Sequence, residues 1–334
     1  WNNLMGDPAT PVWTAYPAAL DVEYPASISS SANAIPVTVT SGGAPVAGAR
    51  VAIYMKDVMQ ANAATDENGH VLFPVSGLQD GELQVTVTGR NLHPHLGGLN
   101  VGQLDLAVDY QAQILTDDGS GNSLGNGDGL AGPGETLDLE LQLANTGTGG
   151  ASDVSVVLTT GEPGISIVQG ESDFGYLNSG TSAWGDQVLT LALAPSVPAG
   201  GEAEVEMDIT AGGETFKALL PLTIHGPRAQ SGEVIISDGG DGQLDPGESA
   251  SMRVGLTNDG NLPTGAVSAT LTSLSQWVNV LDSAGSYGTI PVGGSASNAG
   301  DQFNISATGD CYPGHLATFA LDLVYAEGNT CLLY

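Results

Sequence analysis

Cations are scarce in this chain: 6 Lys and Arg stand against 37 Asp and Glu in 334 residues, a formal charge of −31. That excludes a nucleic-acid partner, because no basic face exists to displace counterions from phosphates. It disfavours an anionic membrane surface for the same reason. Cysteine is scarcer still, and 2 thiols make no disulfide framework of the kind that staples small secreted domains. Aromatic residues contribute only 5%. No apolar run approaches the ~20 residues that cross a bilayer as a helix, and no window carries helical periodicity. Disorder is excluded by the 41% of hydrophobic residues, which are patterned along the chain.

The pattern is alternation. Leu137-Asp138-Leu139-Glu140-Leu141-Gln142-Leu143 and Glu204-Val205-Glu206-Met207-Asp208-Ile209 place every second side chain on one face, the signature of a strand with a core side and a water side. Strands are expected over Ile35–Thr40, Arg50–Tyr54, Leu83–Thr88, Val154–Thr159, Val188–Leu193, Phe216–Ile224, Met252–Thr257, Phe303–Ala307 and Thr318–Val324. Turn formers separate them, among them Glu67-Asn68-Gly69, Asn126-Gly127 and Asn258-Asp259-Gly260. The expected fold class is all-β, three tandem immunoglobulin-like β-sandwich domains.

Two of the three are copies. Asn126 to Glu135 matches Gly239 to Glu248 through the shared Gly-Asp-Gly and Pro-Gly-Glu, each pair 113 positions apart. The same offset carries Asn145 onto Asn258, Gly147 onto Gly260 and Phe174-Gly175 onto Tyr287-Gly288 without a gap, which marks a true repeat. The resulting division is 1–20, a tail end of an upstream domain with its linker; 21–109, an immunoglobulin-like domain; 110–226, repeat one; and 227–334, repeat two with its final strand incomplete. Linkers are expected at Asp109-Tyr110 and at Gly226-Pro227-Arg228, the second stiffened by proline. Trp1-Asn2-Asn3-Leu4 has no signal-peptide character, and Cys331-Leu332-Leu333-Tyr334 stops on an apolar run, so both ends read as cuts from a longer polypeptide.

Asn3-Leu4-Met5-Gly6-Asp7-Pro8, followed by Pro11-Val12-Trp13-Thr14, resembles the segment that closes the catalytic domain of gingipain-like (C25 family) cysteine peptidases. In that family an immunoglobulin-like domain follows directly, and residues 21–101, with Val85-Thr86-Val87-Thr88-Gly89-Arg90-Asn91-Leu92 near their end, are similar to it. The two repeats resemble the CARDB-like sandwiches of bacterial surface proteins. The resemblance implies the non-catalytic C-terminal region of a secreted or cell-surface peptidase. Its catalytic His and Cys would precede Trp1, and neither Cys311 nor Cys331 matches them.

The acidic loops are the expected chemistry. Asp117, Asp118, Asn126, Asp128 and Glu135 crowd one Gly-rich stretch; Asp238, Asp241, Asp245 and Glu248 crowd the other. Ca2+ takes about six to eight oxygens from a loop that can curl around it, which glycine permits. The candidate metal ligands are Asp117, Asn126, Asp128 and Glu135 in repeat one and Asp238, Asp241, Asp245 and Glu248 in repeat two. Neither loop has the D-x-D-x-D-G opening of an EF-hand, and Asn-Gly or Asp-Gly also makes turns without metal.

The remaining candidates are weaker. His93-Pro94-His95 has the spacing that starts a Zn2+ or Cu2+ site but shows no third ligand, and His70, His225 and His315 stand alone. Cys311 and Cys331 flank the strand expected at Thr318–Val324, a length of ~20 Å against a disulfide reach of ~7 Å, and their pairing stays open. Trp13, Trp184 and Trp277 read as core or interface anchors, and Asn304-Ile305-Ser306 fits the N-glycosylation pattern. The expected function is a non-catalytic, calcium-stiffened extracellular stalk or adhesion region whose partners are other domains of its own polypeptide. The alternatives are a filament subunit completed by strands from other copies and a carbohydrate- or protein-binding module.

Overall fold

The computed structural model describes residues 14–325 and 330–333, without the side chains at 330 and 331. Every regular element among them is a β-strand, and they build three tandem immunoglobulin-like sandwiches, each around its own apolar cluster. The segment from Asn3 to Trp13, which carries the peptidase resemblance, lies outside the described residues.

In the first sandwich, Asp21–Glu23, Ala34–Ser41, Ala44–Pro45 and His70–Pro74 form one sheet. Ser27–Ile28, His95–Val101, Gly81–Thr88, Arg50–Met55 and Met59–Ala64 form the other. Ile35, Val37 and Val39 face Val51, Ile53, Leu83, Val85 and Val87 in the core. His95 begins a strand here, and Pro94 lies just before it.

The repeats share one topology. In repeat one, Val108–Thr116, Thr136–Asn145, Leu189–Leu193, Ile165–Gln169 and Ser182–Trp184 pack on Glu171–Leu177, Ala151–Thr160, Val205–Ala211 and Glu214–Leu219. Repeat two matches it strand for strand, from Ala229–Ser237 to Thr330–Leu333. The alternation at 137–143 sends Leu137, Leu139, Leu141 and Leu143 inward, all at 0–1% exposure.

Two expectations change. Asp109 and Tyr110 lie inside a strand that starts at Val108, because Val108 and Asp109 pair with Asn145 and Ala144. The strand expected over Phe216–Ile224 breaks at Leu219, since Pro221 has no N–H for a ladder, and Leu222–Thr223 pairs instead with Glu202–Ala203.

Candidate functional site: the acidic loops and the domain joints

The chain leaves its first strand at Thr116, and the next residue turns inward. Asp117 is 2% exposed. Its Oδ2 accepts the N–H groups of Gly127 (2.9 Å) and Asp128 (3.2 Å), and its Oδ1 accepts that of Gly129 (3.0 Å). Gly127 and Gly129 have φ of 77° and 76°, the left-handed conformation that lets successive N–H groups converge on one anion. Glu135 closes the other end: Oε1 accepts from Asn126 N (3.2 Å) and Oε2 from Gly132 N (2.7 Å). Between them Asn126 Oδ1 accepts Asp128 N, and Asp128 Oδ1 accepts Leu130 N.

Asp138, on the strand Thr136–Asn145, is tied to the same loop, although alternation assigned it to water. It is buried, its Oδ2 accepting Asn122 N (2.8 Å) and its Oδ1 the Thr190 hydroxyl (2.7 Å). The loop folds back across the outer face of the sheet and covers it. No sequence signal separates Asp138 from the solvent-facing Glu140 two residues on.

The second loop is built alike but shorter. Asp238 follows its strand as Asp117 does, and its Oδ1 accepts Gly240 N (2.8 Å) and Gly242 N (3.2 Å). Asp241 Oδ1 takes Gln243 N, and Glu248 Oε2 takes Asp245 N (3.1 Å). Asp117 precedes Asp128 by 11 residues, whereas Asp238 precedes Asp241 by 3. That difference is why a constant offset does not align the two leading aspartates. Asp241, Asp245 and Glu248 are exposed and Asp238 is half-buried, each on its own turn.

The donor chemistry of the first loop fits a hard cation. With Glu135 at position 12 of a calcium loop, Asn126, Asp128 and Gly129 fall at 3, 5 and 6. Leu124 stands at position 1, where a ligand is needed, but the fold brings in Asp117 from the strand end against residues 127–129. Asn126, Asp128 and Glu135 line one cavity of ≈ 30 Å³, space for an ion or a water. Among the described residues no three His, Cys, Asp or Glu side chains gather into a metal-holding group, so Asn126 and backbone carbonyls would complete the set.

That cavity lies at a domain joint: His225, Gly226, Pro227 and Leu262 form its other wall. His225 N donates to Ala131 O (2.6 Å), and Ala131 bridges Ile224. Across the joint, Asn258 is 1% exposed. Its Oδ1 accepts Gly260 N (3.0 Å) and Arg228 N (3.1 Å), and its Nδ2 donates to Leu262 O (2.8 Å) and Ile290 O (3.2 Å). Asn261 adds a bond from Gly226 N (2.9 Å). A Cβ on Gly260 would strike the Gly226 carbonyl, so only glycine lets the linker lie against this turn.

Asn145 shapes the same turn at the preceding joint, bonding Gly149 O, Leu177 O and Gly147 N, while the turn's backbone N–H groups at 146 and 149 reach Ala107 O and Asp105 O. A Cβ on Gly147 would stand 2.6 Å from Asp105 O. Thr146 Oγ1 donates to Asp109 (2.5 Å) and meets Ser29 Oγ of the first sandwich at 3.2 Å. The Asn-x-Gly of each repeat is thus the fastening for the linker that enters it, a role invisible in the repeat pattern alone.

Three carboxyl groups are held above their ordinary range. Burial is the main cause for Glu135, opposed by N–H from Gly132 and Asn126 and reinforced by the charges of Asp117 and Asp128. Burial likewise leads at Asp109, against the Thr146 and Ser29 hydroxyls, and at Glu204, with Glu206 and Glu162 adding repulsion. Asp66, Asp118 and Asp238 are lowered by hydrogen bonds in exposed turns. A raised carboxyl contributes stability that is complete below its unfolded pKa and is lost as pH rises through the folded value. In metal-free buffer the melting temperature is therefore expected to be higher near about pH 5 than at about pH 8, and to fall only below about pH 4, where the lowered aspartates protonate. Thermal melts across that range check it, and Glu135→Gln should flatten the profile.

The other candidates do not converge. His95 Nε2 meets Tyr24 Oη at 3.2 Å, and no metal group forms with His93 or any other described residue. His315 Nε2 lies 2.7 Å from Ser275 Oγ and its Nδ1 3.0 Å from Tyr312 Oη, whose ring also packs edge-on to Trp277. Cys311 is a free thiol, and the Cys331 side chain lies outside the described residues, as does Trp13. Trp184 is 40% exposed. Asn304 accepts from Ser251 Oγ within a strand.

No family model and no curated protein matches the chain. Among solved structures it is similar to the native α2-macroglobulin of E. coli, at 12% identity and TM-score 0.27, covering 93% of this chain and 22% of that one. It is similar to invasin, a bacterial integrin-binding protein, at 14% and 0.21, covering 94% and 59%. A Ca2+-stabilized adhesin with which an Antarctic bacterium binds ice is similar at 13% and 0.22, covering 96% and 73%. The chain thus spans less than two thirds of the first two. At such values nothing is transferred from those chains to this one. No helix among the described residues is long and apolar enough to cross a membrane.

Proposed function

We propose that this chain is a non-catalytic spacer of a larger extracellular or surface protein, its sandwiches fastened in series and its second joint stiffened by Ca2+. The observation that carries the reading is the repeated joint: in both repeats the backbone of a buried Asn-x-Gly turn bonds the incoming chain, at Asp105 and Ala107 in one and at Arg228 in the other. Such a joint costs each linker its freedom and transmits orientation from one sandwich to the next. Asn126, Asp128 and Glu135, with backbone carbonyls, would hold the cation beside the linker at 225–227, and Asp117 would fix the turn behind them. Its charge would offset part of the field of a chain carrying −31. The peptidase resemblance supports placing this spacer behind a C25-type catalytic domain.

Small-angle scattering with light scattering on the whole chain tests the spacer. A monomer with an extended, single-conformation profile is expected; mass growing with concentration would turn the reading to a filament, and a compact or freely jointed profile would end it. Melting with calcium and with EGTA tests the cation separately. Chelation should lower the melting temperature, and Asp128→Asn should abolish that difference. Identical melts would remove calcium and leave the Asp117 turn as a metal-free closure.

A further inference from the structure

We propose that the groove between the first two sandwiches binds an extended basic peptide by strand addition to the free edge of Glu214–Leu219. That strand is outermost in its sheet, paired with Val205–Ala211 on one side only. Leu220 N bonds Val205 O, so alternate residues face Val205–Ala211, while the backbone groups of Thr215, Lys217 and Leu219 face outward. The first sandwich already imitates a strand at one of these. Asn33 Nδ2 donates to Leu219 O (2.7 Å), and its Oδ1 accepts Leu219 N (3.0 Å), the bond pair of a neighbouring β residue.

Beside Asn33 that imitation stops and a cleft of ≈ 450 Å³ opens along Thr215–Lys217. Its far wall includes Pro25, Ile28, Ala32 and Pro36 of the first sandwich, with Ser27 and Ser29 among them. Largely apolar and carrying two prolines, that wall leaves the outward groups of the edge free for a ladder. The charge around the cleft is negative: Asp109 and Glu214 line it, and the Lys217 ammonium is committed to Asp208 (2.6 Å) and Glu206 (3.5 Å). Beyond Asn33 the same edge leads to a second cleft, bordered by Glu202 and Glu204, where like charges help to hold the Glu204 carboxyl up. Unpaired edge groups, an apolar wall and an acidic border together fit a strand with small aliphatic and basic residues in alternation. The inference holds whether or not the chain is a spacer.

The probe is a fluorescein-labelled peptide of alternating valine and lysine, titrated into the full chain by anisotropy, with a valine–glutamate peptide as control. Saturable binding of the basic peptide alone is expected, with slowed amide exchange at Thr215 and Lys217. Thr215→Pro removes only an outward N–H, so it should keep the melting temperature and weaken binding about tenfold or more. Glu202→Gln with Glu204→Gln should weaken the lysine peptide. No saturable binding would overturn the proposal. So would binding that Thr215→Pro leaves intact and exchange at 215 and 217 does not register, since attraction to a chain of this charge needs no groove.

Discussion

Replacing Asp117 by Asn should unfold the first acidic loop and cost the second sandwich about 2–4 kcal/mol, because a buried acceptor of several N–H groups becomes a partial donor facing them. The carboxylate takes three N–H groups from residues 127–129 while 2% exposed. An amide keeps one oxygen and turns an NH2 toward the rest. Water reaches such a site poorly, so the broken bonds are not replaced. The Asp238→Asn change makes the comparison, since Asp238 is only half-buried and holds two N–H groups; its loss should be well below half of that at 117. Calorimetry on the whole chain distinguishes the outcomes. Equal small losses at both positions would show that the first loop is no better held than an ordinary surface turn.

Asn258→Ala should cost the third sandwich as much as emptying a core position. Four bonds end on that side chain, two to carbonyls and two from N–H groups, at 1% exposure. Truncation leaves those groups buried without partners and opens a small cavity, a loss of about 3–4 kcal/mol. For a domain near a hundred residues that lowers the melting point by roughly 12–25 °C. The effect should have two readouts, because Arg228 N belongs to the linker. Besides the early melt, scattering should show the third sandwich swinging free of the second below its melting temperature. Gly260→Ala should reproduce the swing with a smaller melt shift, since its clash falls on the Gly226 carbonyl of the linker. An unchanged scattering profile in both variants would detach the Asn-x-Gly turn from any part in orienting domains.

Most of the fold was legible in the residues. Alternation over 137–143 named four core leucines, and the Gly-Asp-Gly and Pro-Gly-Glu repeats named two copies of one sandwich. Turn residues marked where chains reverse, because positive φ at Gly127 or Gly247 is a local demand that local sequence must meet. The strand expected through Pro221 failed locally too, since a ring nitrogen has no proton to share. The polar residues that shape the first loop were also readable, Asn126, Asp128 and Glu135 being set by spacing along one turn.

What the sequence by itself determined, then, was whatever depends on neighbours along the chain: strand period, turn chemistry, copy number and the sign of the surface. Tertiary structure alone decided that Asp138 is buried, that Asp117 crosses to residues 127–129, and that the turns after Asn145 and at Asn258 grip the chain entering each repeat. It also decided that the edge of Glu214–Leu219 faces the first sandwich. The physical reason is that burial and hydrogen-bond partnership are properties of the space around a group. Asp138 and Glu140 have the same chemistry and the same place in the alternation, and only the loop lying over one of them makes them different.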